Sequence, residues 1–131
     1  MIQDLGKFLA SKKFKPYEWG VNDCNTFVVD WIDHYYQKDW NGQLQFDYSN
    51  QLGAIRYHKK LPFDASEFMY MAGYDQTTAT PETGDVLLQK MGAYYASWIV
   101  LLDDAYTFQQ QHGLCSVAVN ILDNYTTWRH P

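Results

Sequence analysis

The chain is short of basic residues and of long apolar runs, and each shortage removes a class of function. Ten Lys and Arg stand against fifteen Asp and Glu among 131 residues, for a formal net charge of −5. The densest basic stretch is Lys12-Lys13-Phe14-Lys15. Nucleic-acid binding without sequence preference needs a dense basic face, so no nucleic-acid partner is expected, and these lysines read as a solvated helix end. No stretch approaches the roughly 20 apolar residues that span a bilayer, and Met1-Ile2-Gln3-Asp4 lacks the basic and apolar regions of a signal peptide. Synthesis in a cytoplasm, without secretion by a signal peptide and without a membrane span, is the expectation.

Cysteine and histidine are scarce too. Cys24 and Cys115 are too few for a disulfide framework, and neither lies in a C-x-x-C or zinc-spaced cluster, so both are expected as reduced thiols. The four histidines, His34, His58, His112 and His130, are scattered along the chain. No metal and no other cofactor is expected. There is no internal repeat and no low-complexity linker.

Aromatic residues are plentiful. At 18% of the chain, with five Trp and eleven Tyr, they argue against disorder, because large side chains offset the entropy lost on folding. The length and the 47% hydrophobic content suit one domain over residues 1–131.

Ile2, Leu5, Phe8 and Leu9 recur at helical spacing and predict a helix over 2–12. Asn22 or Asp23 can cap a second helix with apolar positions Cys24, Phe27, Val28, Trp31, Ile32 and Tyr35. Asn41-Gly42 reads as a loop, and residues 49–60 as a short helix burying Leu52 and Ile55. Asp64 with Glu67 forms a capping-box start for another helix, stopped by Gly73, and residues 75–83 read as a polar loop. From Gly84 the texture changes to strands over 85–89, 97–102, 106–111 and 114–122. Helices first and strands afterwards predict an α+β fold, N-terminal helices packed on a C-terminal antiparallel sheet.

Trp19-Gly20-Val21-Asn22-Asp23-Cys24 puts a thiol in the first turn of the second helix. Unpaired N–H groups and the positive end of the helix dipole are expected there to lower the thiol pKa and make a better nucleophile. The plainer reading is that Cys24, three and four residues before Phe27 and Val28, packs on the buried face.

The chain resembles the papain-like NlpC-type cysteine peptidases, and more closely a phage and prophage branch of unknown function related to them. The resemblance rests on Phe14 with Trp19-Gly20-x-x-Asp23-Cys24, on Leu52-Gly53-Ala54-Ile55-Arg56, on Gly84-Asp85-Val86-Leu87-Leu88, on His112-Gly113-Leu114 and on Trp128-Arg129. It implies an NlpC-type fold with Cys24 at the nucleophile position and with Trp19, Asp23 and Trp98 at the binding cleft. It also implies that the strand after Gly84-Asp85 begins with the catalytic imidazole, oriented by a polar residue about a dozen positions later. Those positions hold Ser97 and Gln109. Gln109 can orient, but Ser97 has no basic group that titrates near neutral pH. His34 lies ten residues along the helix of Cys24, about 15 Å by helical rise, and points elsewhere. His112, close after Gln109, is the candidate surrogate base, whereas His58 and His130 read as capping or surface residues.

The resemblance thus implies a domain degenerate at its catalytic His, serving as a structural, assembly or host-contact component of a phage tail, with other tail proteins as partners and the virion as location. Tyr35, Tyr36, Trp40, Tyr48, Tyr70, Tyr74, Tyr94 and Tyr95 would in part form a contact surface. The alternative is an active peptidase or amidase cleaving peptidoglycan peptides through Cys24. A small cytoplasmic binder or inhibitor is the third reading.

Overall fold

Apolar residues recur three and four apart before residue 72 and gather in short runs after residue 84, and helices give way to most of the strands along the same line. The structure, a computed structural model, describes residues 1–92 and 94–131. Helices α1 (Ile2–Lys12), α2 (Cys24–Tyr36), α3 (Trp40–Leu44), α4 (Gln51–Lys60) and α5 (Ala65–Met71) come first. The strands are β1 (Asp75–Thr77), β2 (Val86–Met91), β3 (Tyr94–Leu101), β4 (Asp104–Gln109), β5 (Gly113–Ala118) and β6 (Tyr125–Arg129). Among the described residues these six strands make one sheet in the order β1-β6-β2-β3-β4-β5, with every pairing antiparallel. The expected α+β class is present. Among the described residues, no helix is long and apolar enough to cross a membrane.

Side chains alternate across the sheet. Val86, Leu88, Ile99, Phe108 and Trp128 face the helices and join Leu5, Phe8, Phe27, Trp31 and Ile32 in the main core. Leu87, Trp98, Val100 and Ala105 face the other way, where Val117, Val119, Leu122 and Tyr125 cover them. Helix α2 is the central helix and lies against β3 and β4.

Three local readings change, and one element is new. Asn41-Gly42 lies inside α3 because Asp39 caps it, accepting from the Gly42 N–H at 3.2 Å, while the Asp33 carboxylate accepts from Trp40 N–H at 2.8 Å and Asn41 N–H at 3.0 Å. In α4 the buried position is Ala54, whereas Leu52 is 56% exposed. Within the expected polar loop, residues 75–77 form β1, which pairs with β6 at the edge of the sheet. Strand β6, polar in composition and left without a reading in the sequence, pairs with β2 and buries Trp128 on the helix side of the sheet and Thr127 on the other. Of the eight aromatics considered for a contact surface, Tyr74 is fully buried, Tyr70 is exposed and the others are half-buried.

Candidate functional site

Asp23 organises the turn before α2. Its Oδ1 accepts from the N–H groups of Asn25 at 3.0 Å and Thr26 at 2.8 Å, and its Oδ2 from Gly20 N–H at 2.9 Å and the Tyr48 hydroxyl at 2.6 Å. The Asp23 N–H in turn donates to Thr26 Oγ1 at 2.8 Å, which closes a capping box. The carboxylate is 2% exposed and both its oxygens are engaged. Burial, and after it the Asp23 charge, push the Tyr48 phenol far up, so it stays protonated and donates. Gly20 has φ +78°, and a Cβ there would come within 2.8 Å of Phe46 O and closer still to Tyr48 O. Backbone conformation and close approach both demand glycine at this position. The Trp-Gly-x-x-Asp-Cys pattern is therefore a structural lock as well as a setting for the thiol.

Cys24 occupies the first helical position, half-buried and free of any disulfide. Its thiol pKa is pushed up to about 12, chiefly by burial and further by the Asp23 carboxylate. The backbone N–H groups of Ser97, Cys24 and Asn25 pull in the opposite direction. The activation expected from the helix start is thus present but outweighed: losing water and gaining a neighbouring anion cost the thiolate more than the N–H groups return.

Strands β3 and β4 pair from Leu101↔Asp104 to Ile99↔Tyr106, and beyond that point Thr107 Oγ1 donates to Ser97 O at 2.7 Å. The first turn of α2 meets the sheet here, which is why Ser97 N–H faces the Cys24 sulfur. A cavity of about 230 Å³ opens beside it, lined by Cys24, Trp19, Asp23, Trp98 and Gln109. Five of the seven residues expected at the site thus share one cavity. Ser97 adjoins it through its backbone, while its side chain, 4% exposed, donates to Asn25 Oδ1 at 2.8 Å. His112 is not brought there: it is exposed in the turn between β4 and β5 and does not line the cavity. His34, exposed, stacks on Phe8, and His130 stacks on Tyr36; neither lines the cavity.

The imidazole that does line the cavity is His58, on α4. Its Nε2 lies 3.3 Å from Asn25 Nδ2, and its ring is surrounded by Phe46, Tyr48 and Tyr57. Burial lowers its pKa, partly offset by the Asp23 charge. Among the described residues, no imidazole is hydrogen-bonded to the Cys24 sulfur. The sequence held one sign of this placement: His58 follows the buried Ala54 by four residues and so shares its face of α4.

A family model matches residues 2–130. The chain belongs to the family described as Domain of unknown function (DUF6950). Among curated proteins, none matches the chain. The match takes in the Asp23 lock, Cys24, His58 and the strands that wall the cavity, so the family unit and the fold described above have the same extent.

Proposed function

We propose that this member of the DUF6950 family is a papain-like, NlpC-type domain whose nucleophile cavity has become a non-catalytic recognition cleft, carried on a phage tail as an assembly or host-contact component. One observation carries the inert reading: the thiol of Cys24 is pushed up to about 12 and has no imidazole bonded to it, while Ser97 stands where the resemblance calls for the base. Attack on an amide at neutral pH needs a thiolate or a base that makes one, and neither is at hand. The rest of the lining suits recognition. Trp19 and Tyr17 offer ring surface, and Gln51, Gln109 and Gln110 offer amide groups, a combination suited to peptide or glycan.

The tail reading rests on the resemblance and is tested by mass spectrometry of purified particles from the source. Stoichiometric copies of the chain are expected, and absence from particles overturns it. Cleft recognition is tested separately by co-sedimentation with isolated peptidoglycan and with tail proteins, comparing the chain with its Trp19→Ala variant.

A second reading, peptidoglycan hydrolysis through Cys24, draws on His58 lining the same cavity. It requires His58 to leave Asn25 and approach the sulfur. Clearing of a peptidoglycan gel that is lost equally in Cys24→Ala and His58→Ala would establish it.

A further inference from the structure

A second cavity, of about 190 Å³, lies across Asn25, His58 and Tyr94 from the first, since these three residues line both. Its walls come from α2, α5 and β2, where Val28, Val29, Phe68, Met69 and Leu88 turn inward. Phe46, Phe63, Tyr94 and Tyr95 bring further rings to it. The polar groups gather at one end. Ser97 Oγ donates to Asn25 Oδ1 at 2.8 Å, so the Asn25 nitrogen is the donor toward His58 Nε2 at 3.3 Å, which leaves the ring proton on Nδ1. Ser97 Oγ keeps acceptor lone pairs, and Nδ1–H has no partner among the described residues. The charged residues of the lining, Lys59 and Asp64, are exposed at the rim.

We propose that this cavity binds a neutral one-ring aromatic molecule bearing a hydroxyl or similarly small hydrogen-bonding group. An apolar protein cavity of about 150 Å³ stays dry and accepts benzene, so this one has room for a ring and a substituent. Aromatic walls favour a ring over an aliphatic body of equal size, because ring edges meet ring faces. The Ser97, Asn25 and His58 end supplies an acceptor and a donor for the substituent. A carboxylate is disfavoured, since no cation lies inside to offset its loss of water. Binding here is independent of whether Cys24 is catalytic, but an occupant touches the partition between the cavities and so reaches the Cys24 side.

The test is a titration of the full chain with phenol, with cyclohexanol and benzoate as controls, followed by NMR of the Val29, Met69 and Leu88 methyl groups and the Ser97 amide. Saturable shifts with phenol are expected, at an affinity about tenfold above either control, a difference of about 1.4 kcal/mol. Val29→Phe fills the cavity and should abolish the shifts; if that variant does not fold, Leu44→Phe, at the rim, should weaken them about tenfold. Ser97→Ala should narrow the margin of phenol over cyclohexanol. No saturable shift with phenol, equal binding of cyclohexanol, or shifts that persist unchanged in the filled variant would overturn the proposal.

Discussion

Arg129 grips the Asp85 carboxylate as a fork, with Nε to Oδ1 at 3.0 Å and Nη2 to Oδ2 at 2.8 Å. Glu82 N–H adds a bond to Oδ2 at 2.8 Å, and Asp85 is almost fully buried. The Gly84-Asp85-Val86 segment and the closing Trp128-Arg129 are therefore two halves of one contact, clasping the entry of β2 to the end of β6. A planar guanidinium satisfies both carboxylate oxygens at once, which an ammonium cannot do.

Removing one half should show its worth. Asp85→Ala is expected to cost about 3 kcal/mol, the lower end for breaking a buried pair, because Arg129 keeps partial access to solvent. Arg129→Lys should cost less but still destabilise, since it retains charge and loses the fork. Urea unfolding followed by tryptophan fluorescence measures both. Equal stability of wild type and Asp85→Ala would contradict the role given to the pair.

The turn before α2 should be equally intolerant. Asp23→Ala removes the cap and leaves Tyr48 and Gly20 N–H without their acceptor, for an expected loss of about 3 kcal/mol. Tyr48→Phe should cost only about 1 kcal/mol, because the other three bonds to Asp23 remain. Gly20→Ala is expected to match or exceed Asp23→Ala, given its φ of +78° and the carbonyls in the way.

Alkylation reports the state of the Cys24 thiol. At pH 7.5 iodoacetamide should label native Cys24 at least tenfold more slowly than the same cysteine in urea, since only the thiolate reacts and its pKa stands at about 12. Native labelling should climb steadily between pH 8 and 11 without a plateau. A plateau near neutral pH would reveal an activated thiol and remove the ground for the inert reading.

The same shift sets a trend in stability. A thiol held at about 12 in the fold and about 8.5 when unfolded loses its proton first in the unfolded chain. Its contribution is present below about pH 8.5 and disappears as the pH rises toward 12. Tyr17, Tyr48 and Tyr74 are also pushed up, so Cys24→Ala should flatten only part of the alkaline fall in melting temperature.

His58 acts at the other end of the scale. Its folded pKa is lowered, so below about pH 6.5 the unfolded chain takes up a proton that the folded ring resists. Stability from His58 is present above that pH and is lost as the pH falls through the lowered value. His58→Gln should flatten the melting temperature between pH 5 and 6.5. An unchanged slope in the variant would place the acid sensitivity elsewhere.

Much of the fold was legible because it depends on neighbours in sequence. The caps at Asp23 and Asp64, the amphipathic spacing of α1 and α2 and the short apolar runs of β2 and β3 are all local, and each marks an element that the structure contains. The elements that were misread, or in the case of β6 not read, owe their structure to distant partners. Helix α3 needs the Asp33 carboxylate, β1 exists by pairing with β6, and β6 is held by β2 and by Arg129 on Asp85. Composition and periodicity carry no trace of such pairings.

At the site the same division holds. From the residues and the resemblance alone came a thiol at a helix mouth, a serine in place of a base and the cleft residues Trp19, Asp23, Trp98 and Gln109. Tertiary structure decided which imidazole shares the cavity, turning His58 inward and leaving His112 in a surface turn. It also decided the ionisation of Cys24, because a pKa is set by burial and by charges gathered from remote segments. A helix dipole is written into one stretch of chain; the water it displaces and the anion beside it are known only once that chain has closed on itself.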